Sequence, residues 1–125
     1  MIRIQCLTID CHDPKKLSQF WAQALDWKVT YESENEVVLE LLDGSPAQGA
    51  IPDLLFLKNE DRKSVKNRLH FDLRPDEQMR EVERLITLGA SKIEIGQSAN
   101  SDTTWVVLAD PEGNEFCVLR ALPTN

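Results

Sequence analysis

The sequence predicts an α+β fold in which one β-α-β-β-β module occurs twice. Three observations lead there. The first is an internal repeat, because Leu7-Thr8-Ile9-Asp10-Cys11 aligns with Leu69-His70-Phe71-Asp72-Leu73 at an offset of 62 residues, and Leu17 and Phe20 fall on Met79 and Val82 at that same offset. The second is the order of periodicities: in each half an alternating run precedes a stretch with apolar residues at helical spacing, and short strand-like runs follow. The third is the closing stretch WVVLADPEGNEFCVLR, Trp105 to Arg120, which has the composition and spacing of a hairpin.

Residues 2–11 alternate, with Leu7, Ile9 and Cys11 on one face and Cys6, Thr8 and Asp10 on the other, as a half-buried strand requires. Asp13-Pro14 then supplies an N-cap and a first-turn proline. Leu17, Phe20, Trp21, Ala24 and Leu25 recur along one side of a helix of about three turns. Residues 27–31 and 36–42 form a hairpin across a polar turn, 44–52 reads as a Gly, Pro and Ala loop, and 53–58 is a short apolar strand.

The charged stretch 59–67 has no apolar period and separates the halves. Beyond it, 68–73 alternates, a helix begins at Pro75 or Asp76 and carries Met79, Val82, Leu85 and Ile86, and Gly89 stops it. Residues 92–95 are a strand and 96–102 a polar loop. In the closing hairpin Pro111 presets φ for a turn, Gly113 and Asn114 tolerate φ > 0, and Asp110 accepts hydrogen bonds from amides ahead of it. The expected organisation is a single domain over 1–125 with modules at 1–60 and 66–125, since neither half alone buries enough apolar surface.

The formal charge of −7 over 125 residues opposes nucleic acid and anionic membrane surfaces as partners. No apolar run has the length of a membrane span, and the start of the chain lacks the pattern of a signal peptide, so a cytoplasmic location is expected. Three cysteines, two of them on opposite faces of one strand, argue against a disulfide framework. Gly-rich phosphate loops, nucleophile elbows and dinucleotide fingerprints are absent from the sequence.

With DPKKLSQFW at 13–21, NRLHFDL at 67–73 and DPEGNEFC at 110–117, the chain resembles the vicinal oxygen chelate superfamily, the group of glyoxalase I, bleomycin-resistance proteins and extradiol dioxygenases. It looks most like the glyoxalase-like branch. The resemblance implies two βαβββ modules forming a curved mixed sheet around a cleft, a small-molecule ligand and a homodimer. In metal-dependent members four His, Glu or Gln side chains, from the first and last strand of each module, hold the cation. The matching positions here are Thr8 or a neighbour such as Gln5 or Cys6, the run 54–57, His70 and Cys117. Only His70 is a ligand of the family's type, and Leu54-Leu55-Phe56-Leu57 offers no donor, so the site is read as degenerate and no metal is expected, a divalent ion being the alternative.

His70 is the candidate catalytic residue, a general base or hydrogen-bonding group on a rigid strand beside Asp72, against the plainer reading of a histidine satisfied by a neighbour. Candidates for ligand contact are Thr8, Arg68, Asp72, Cys117 and the indoles Trp27 and Trp105, flat walls for a planar ligand. Trp21 belongs to the helix stripe and to the core. A thiolate and imidazole set of Cys6, His70 and Cys117 would suit zinc, but isolated cysteines more often serve as small buried apolar residues. The expected function is small-molecule binding, with the reaction unassigned; the alternative is a metal-dependent lyase, isomerase or dioxygenase of the same superfamily.

Overall fold

The computed structural model describes residues 1–94 and 104–123. Among the described residues eight strands and two helices follow in chain order: β1 (Cys6–Cys11), α1 (Pro14–Leu25), β2 (Lys28–Glu32), β3 (Glu36–Glu40), β4 (Asp53–Lys58), β5 (Asp72–Leu73), α2 (Gln78–Leu88), β6 (Ser91–Lys92), β7 (Val106–Ala109) and β8 (Glu115–Val118). They fall into two compact units, Met1–Arg62 and Lys63–Asn125.

Each unit is a βαβββ module with a four-stranded mixed sheet. The strand orders β1-β4-β3-β2 and β5-β8-β7-β6 are the same topology, in which the first strand lies parallel to the last and the rest are antiparallel. The 62-residue offset superposes β1 on β5 and β4 on β8, so the duplication legible in the sequence is a duplication of architecture.

In unit 1, α1 starts where Asp13 accepts a hydrogen bond from the Lys16 amide at 3.1 Å and Pro14 occupies the first turn. It ends at Asp26, whose left-handed backbone (φ 58) lets its amide return to the Ala22 carbonyl. Leu17, Phe20 and Trp21 are buried and pack over the face of the sheet formed by Val37, Leu39, Leu54 and Phe56, with Phe20 and Trp21 edge to face at 5.1 Å. In unit 2 the corresponding core is Val82 and Leu85 of α2 with Leu108, Phe116 and Val118.

Unit 2 departs from the expected boundaries in four places. The alternating run 68–73 yields only two strand residues, and Leu69, expected on the buried face, is exposed. Asn67 explains the shortening: its side-chain amide accepts from the Glu115 amide at 3.0 Å and donates to the Glu115 and Leu69 carbonyls, taking the place a backbone strand would occupy. The same position in unit 1 is Gln5, and there the backbone carbonyl serves the Asp53 amide. Second, α2 begins at Gln78 rather than at Pro75 or Asp76; its cap Glu77 makes no side-chain capping bond, and Gln78 instead donates to the carbonyls of Thr104 and Val118. Third, Met79 and Ile86, expected in the buried stripe, are exposed. Fourth, β6 starts one residue early, at Ser91; the expected loop 96–102 lies outside the described residues.

Candidate functional site

The turn that closes the chain sets the register of the site. Asp110 is 3% exposed, and its carboxylate accepts from the amides of Glu112 and Asn114 and from the Asn114 side chain at 2.9 to 3.1 Å. Gly113 takes φ 88, which only glycine adopts without strain. With the turn fixed, Val107 pairs with Cys117, and Leu108 with Phe116. Side chains alternate across a strand, so Phe116 and Val118 go to the α2 side while Glu115, Cys117 and Leu119 go to the other.

That other face carries a cavity of about 690 Å³. Trp105, Val107, Ile93 and Leu119 form apolar walls; His70, Asp72 and Cys117 form a polar corner; the segment from Lys63 to Lys66 lies along its side. The face of Trp105, which periodicity leaves open, is thereby decided: its indole, 42% exposed, shares this cavity.

The polar corner is built by adjacent strands. Asp72 on β5 is the direct partner of Cys117 on β8, and His70 lies two residues earlier, so its side chain falls on the same side of the chain. His70 Nδ1 is 3.1 Å from Asp72 Oδ1, a contact in which the imidazole donates and the carboxylate accepts. Burial pushes the Cys117 thiol above its ordinary range, and Asp72 adds to this by repelling a thiolate and by accepting the thiol's hydrogen bond.

Along the side of the cavity Lys63 pairs with Glu115 at 2.5 Å, both side chains being mostly buried. Burial alone would raise the Glu115 carboxyl, but hydrogen bonds from Lys63, from its own backbone and from Asn67, with the lysine's charge, outweigh it and hold the group below the ordinary carboxylate range. In the sequence Lys63 is one residue of the charged stretch 59–67 and has no marked partner. Its role follows from the half-buried acid on β8, which needs a counter-charge and is visible only once the register is known.

Of the residues singled out in the sequence, His70, Asp72, Cys117 and Trp105 come together in this cavity. Arg68 is exposed and is not one of its lining residues. Thr8 and Trp27 belong to unit 1: Thr8 is exposed on β1, 3.9 Å from Cys6 Sγ, and Trp27 is half-buried between the end of α1 and β2. Ile93, Val107 and Leu119 drew no attention in the sequence, although the alternation Glu115, Cys117, Leu119 would have selected Leu119.

The four-cornered metal pattern of the superfamily does not fit these residues. In unit 1 the exposed side of the β1 and β4 pair carries Thr8 opposite Leu55, a hydroxyl and a hydrocarbon. Unit 2 differs, since His70, Asp72 and Cys117 offer ligand atoms that all lie within 4.8 Å of one another.

The family profile described as a glyoxalase-like domain matches residues 6–119, and the chain belongs to that family, within the vicinal oxygen chelate superfamily. Solved structures share the fold. A glyoxalase/bleomycin resistance protein/dioxygenase family enzyme from Burkholderia phytofirmans is 20% identical with a TM-score of 0.68, over 94% of this chain and 98% of its own. A possible glyoxalase from Bacillus cereus is 15% identical with a TM-score of 0.65, over 95% and 99%. The fosfomycin resistance protein FosX from Listeria monocytogenes, in a mutant form complexed with Mn(II) and a dihydroxypropylphosphonic acid, is 15% identical with a TM-score of 0.69, over 98% and 93%. No curated protein is significantly similar in sequence. No helix among the described residues is long and apolar enough to cross a membrane.

Proposed function

We propose that the chain is a small-molecule-binding protein whose ligand occupies the unit 2 cavity. The observation that carries this reading is the cavity itself: about 690 Å³, largely apolar, with its polar groups gathered in one corner. Its volume suits a ligand of drug or metabolite size. Trp105 and Val107 supply contact area, and His70 and Asp72 supply orientation. An imidazole that donates from Nδ1 to Asp72 keeps Nε2 as an acceptor, which suits it to hold or remove a ligand proton. Thr8, Trp27 and Arg68 enter this reading on the family resemblance alone.

A thermal-shift panel of small organic acids, amides and glycopeptides on the full chain tests it. Any compound that raises the melting temperature is expected to bind at least about tenfold more weakly to His70→Ala, a loss of about 1.4 kcal/mol. A hit whose affinity is the same in His70→Ala and in Trp105→Ala sinks the assignment of the site.

A metal-dependent lyase or isomerase is the second reading. The donor set of His70, Asp72 and Cys117 favours it, as does the Mn(II) in the FosX crystal. We also propose that the protein is cytoplasmic and a homodimer; the homodimer is supported by the exposed apolar side chains Val29 and Tyr31 on β2, an edge strand of its sheet.

A further inference from the structure

The segment from Lys63 to Asn67 is held at both ends by one residue of β8. Lys63 pairs with the Glu115 carboxylate, and the Asn67 side chain accepts from the Glu115 amide and donates to its carbonyl. Between these anchors lie Ser64 and Lys66, and both line the cavity. Among the described residues the Lys66 ammonium has one hydrogen bond, to the carbonyl of its neighbour Asn67 at 3.5 Å, and the Ser64 hydroxyl has none. The two acids of the cavity wall are engaged by protein donors: Glu115 by Lys63, and Asp72 by the His70 imidazole at 3.1 Å and by the Cys117 thiol. Lys66 meets no carboxylate within ion-pair distance among the described residues. Its charge nevertheless reaches the polar corner, since burial and Asp72 push the Cys117 thiol up and Lys66 works against them.

We propose that the ligand of this cavity is an organic monoanion, a carboxylic acid with a planar apolar body, whose carboxylate is bound by Lys66 and Ser64. The inference rests on the ligand-binding reading and names the substrate class of that site. Apolar walls beside the ammonium exclude part of the water that would screen an ion pair, so the charge counts for more here than on open surface. The body of the acid lies against Trp105, Val107 and Leu119, where the indole offers a flat face. One ammonium and one hydroxyl match a carboxylate. A phosphate dianion calls for more positive charge and for the forked donors of arginine, and Arg68 is not a lining residue. A cationic ligand would meet the repulsion of Lys66 in a space where both acids already have donors. The chain as a whole carries a formal charge of −7, so an anion is attracted only locally, and that attraction weakens with salt.

Calorimetric titration of the full chain at neutral pH with naphthalene-2-carboxylic acid and indole-3-acetic acid, each beside its neutral amide and the corresponding primary amine, tests the proposal. Each acid is expected to bind at least about tenfold more tightly than its amide or amine, and to lose that advantage as sodium chloride is raised. Lys66→Gln should bring the acid down to the level of the amide, and Lys66→Arg, which keeps the charge, should retain most of the preference. Trp105→Ala should weaken acid and amide alike, as expected when both lie in the cavity. The comparison of acid, amide and amine needs only the unmutated chain, so it holds whether or not a variant folds. An amide or amine that binds as tightly as its acid, a preference for the acid that survives in Lys66→Gln, or affinities untouched by Trp105→Ala overturns the assignment of a carboxylate to Lys66. Binding by none of the compounds removes the ligand-binding reading and this inference with it, whereas equal binding of acid and amide in the cavity removes this inference alone.

Discussion

Two acidic residues show how position decides what a charge does. Asp110 is all but inaccessible, and its carboxylate serves three donors of its own turn. Asp110→Ala leaves those amides without their acceptor and should cost about 2–3 kcal/mol, read as a lower urea midpoint at unchanged slope. Glu115 is tied to Lys63, and its carboxyl is held below the ordinary value of 4.5. A depressed folded-state value means the native state holds the proton less tightly than the unfolded chain does. The stabilisation is therefore full above about pH 4.5 and disappears as pH falls through the lowered value. Glu115→Gln should lower stability at pH 7 by about 1–3 kcal/mol and flatten the acid limb of the stability profile, measured by chemical unfolding between pH 7 and 3. An acid limb identical in the variant would show that the pair contributes nothing.

At the scale of elements, the strand that carries Asp72 is far shorter than its sequence pattern. Residues 68–73 have the alternation of a strand, yet ladder pairing is confined to Asp72–Leu73. Asn67 substitutes its amide for the missing backbone and so holds the approach to His70 against β8. Asn67→Ala should cost about 1–2 kcal/mol and make the Glu115 amide exchange with deuterium faster, while the amides of β4 in unit 1 keep their protection. Equal protection of Glu115 in the variant would mean that backbone, not side chain, fills that place. Periodicity could not foresee this, because an asparagine that caps a sheet edge is indistinguishable in sequence from one in a loop. The helices were more legible: Asp13-Pro14 and Gly89 mark their ends through mechanisms local to a few residues, whereas the exposure of Met79 and Ile86 depends on what α2 meets.

At the scale of the whole molecule, the two units repeat one topology with different residues in equivalent core positions. The helix-facing pair on the last strand is Leu54 and Phe56 in unit 1 and Phe116 and Val118 in unit 2, so the larger side chain has changed places while both pairs stay buried. The units have diverged further on the opposite face, where one carries Thr8 and Leu55 and the other His70 and Cys117. The homodimer reading belongs to this scale. Light scattering should give a mass twice the 14.2 kDa of the chain, and Tyr31→Glu on the edge strand β2 should shift the population to monomer. A monomer at millimolar concentration would remove it.

The duplication, the α+β class, the order of elements, the helix ends at Asp13-Pro14 and Gly89 and the closing turn were all determined by the sequence, because repeats, periods of 2 and 3.6 and turn chemistry are local or self-referential signals. Only the tertiary structure decided that Trp105 shares a cavity with Cys117, that Lys63 is the counter-charge of Glu115, and that Asp72 completes a donor set with His70 and Cys117. Those relations join residues up to 52 positions apart, and they depend on the register between β5, β7 and β8, which is set by an entire sheet closing on its helix and is written in no single stretch of the chain.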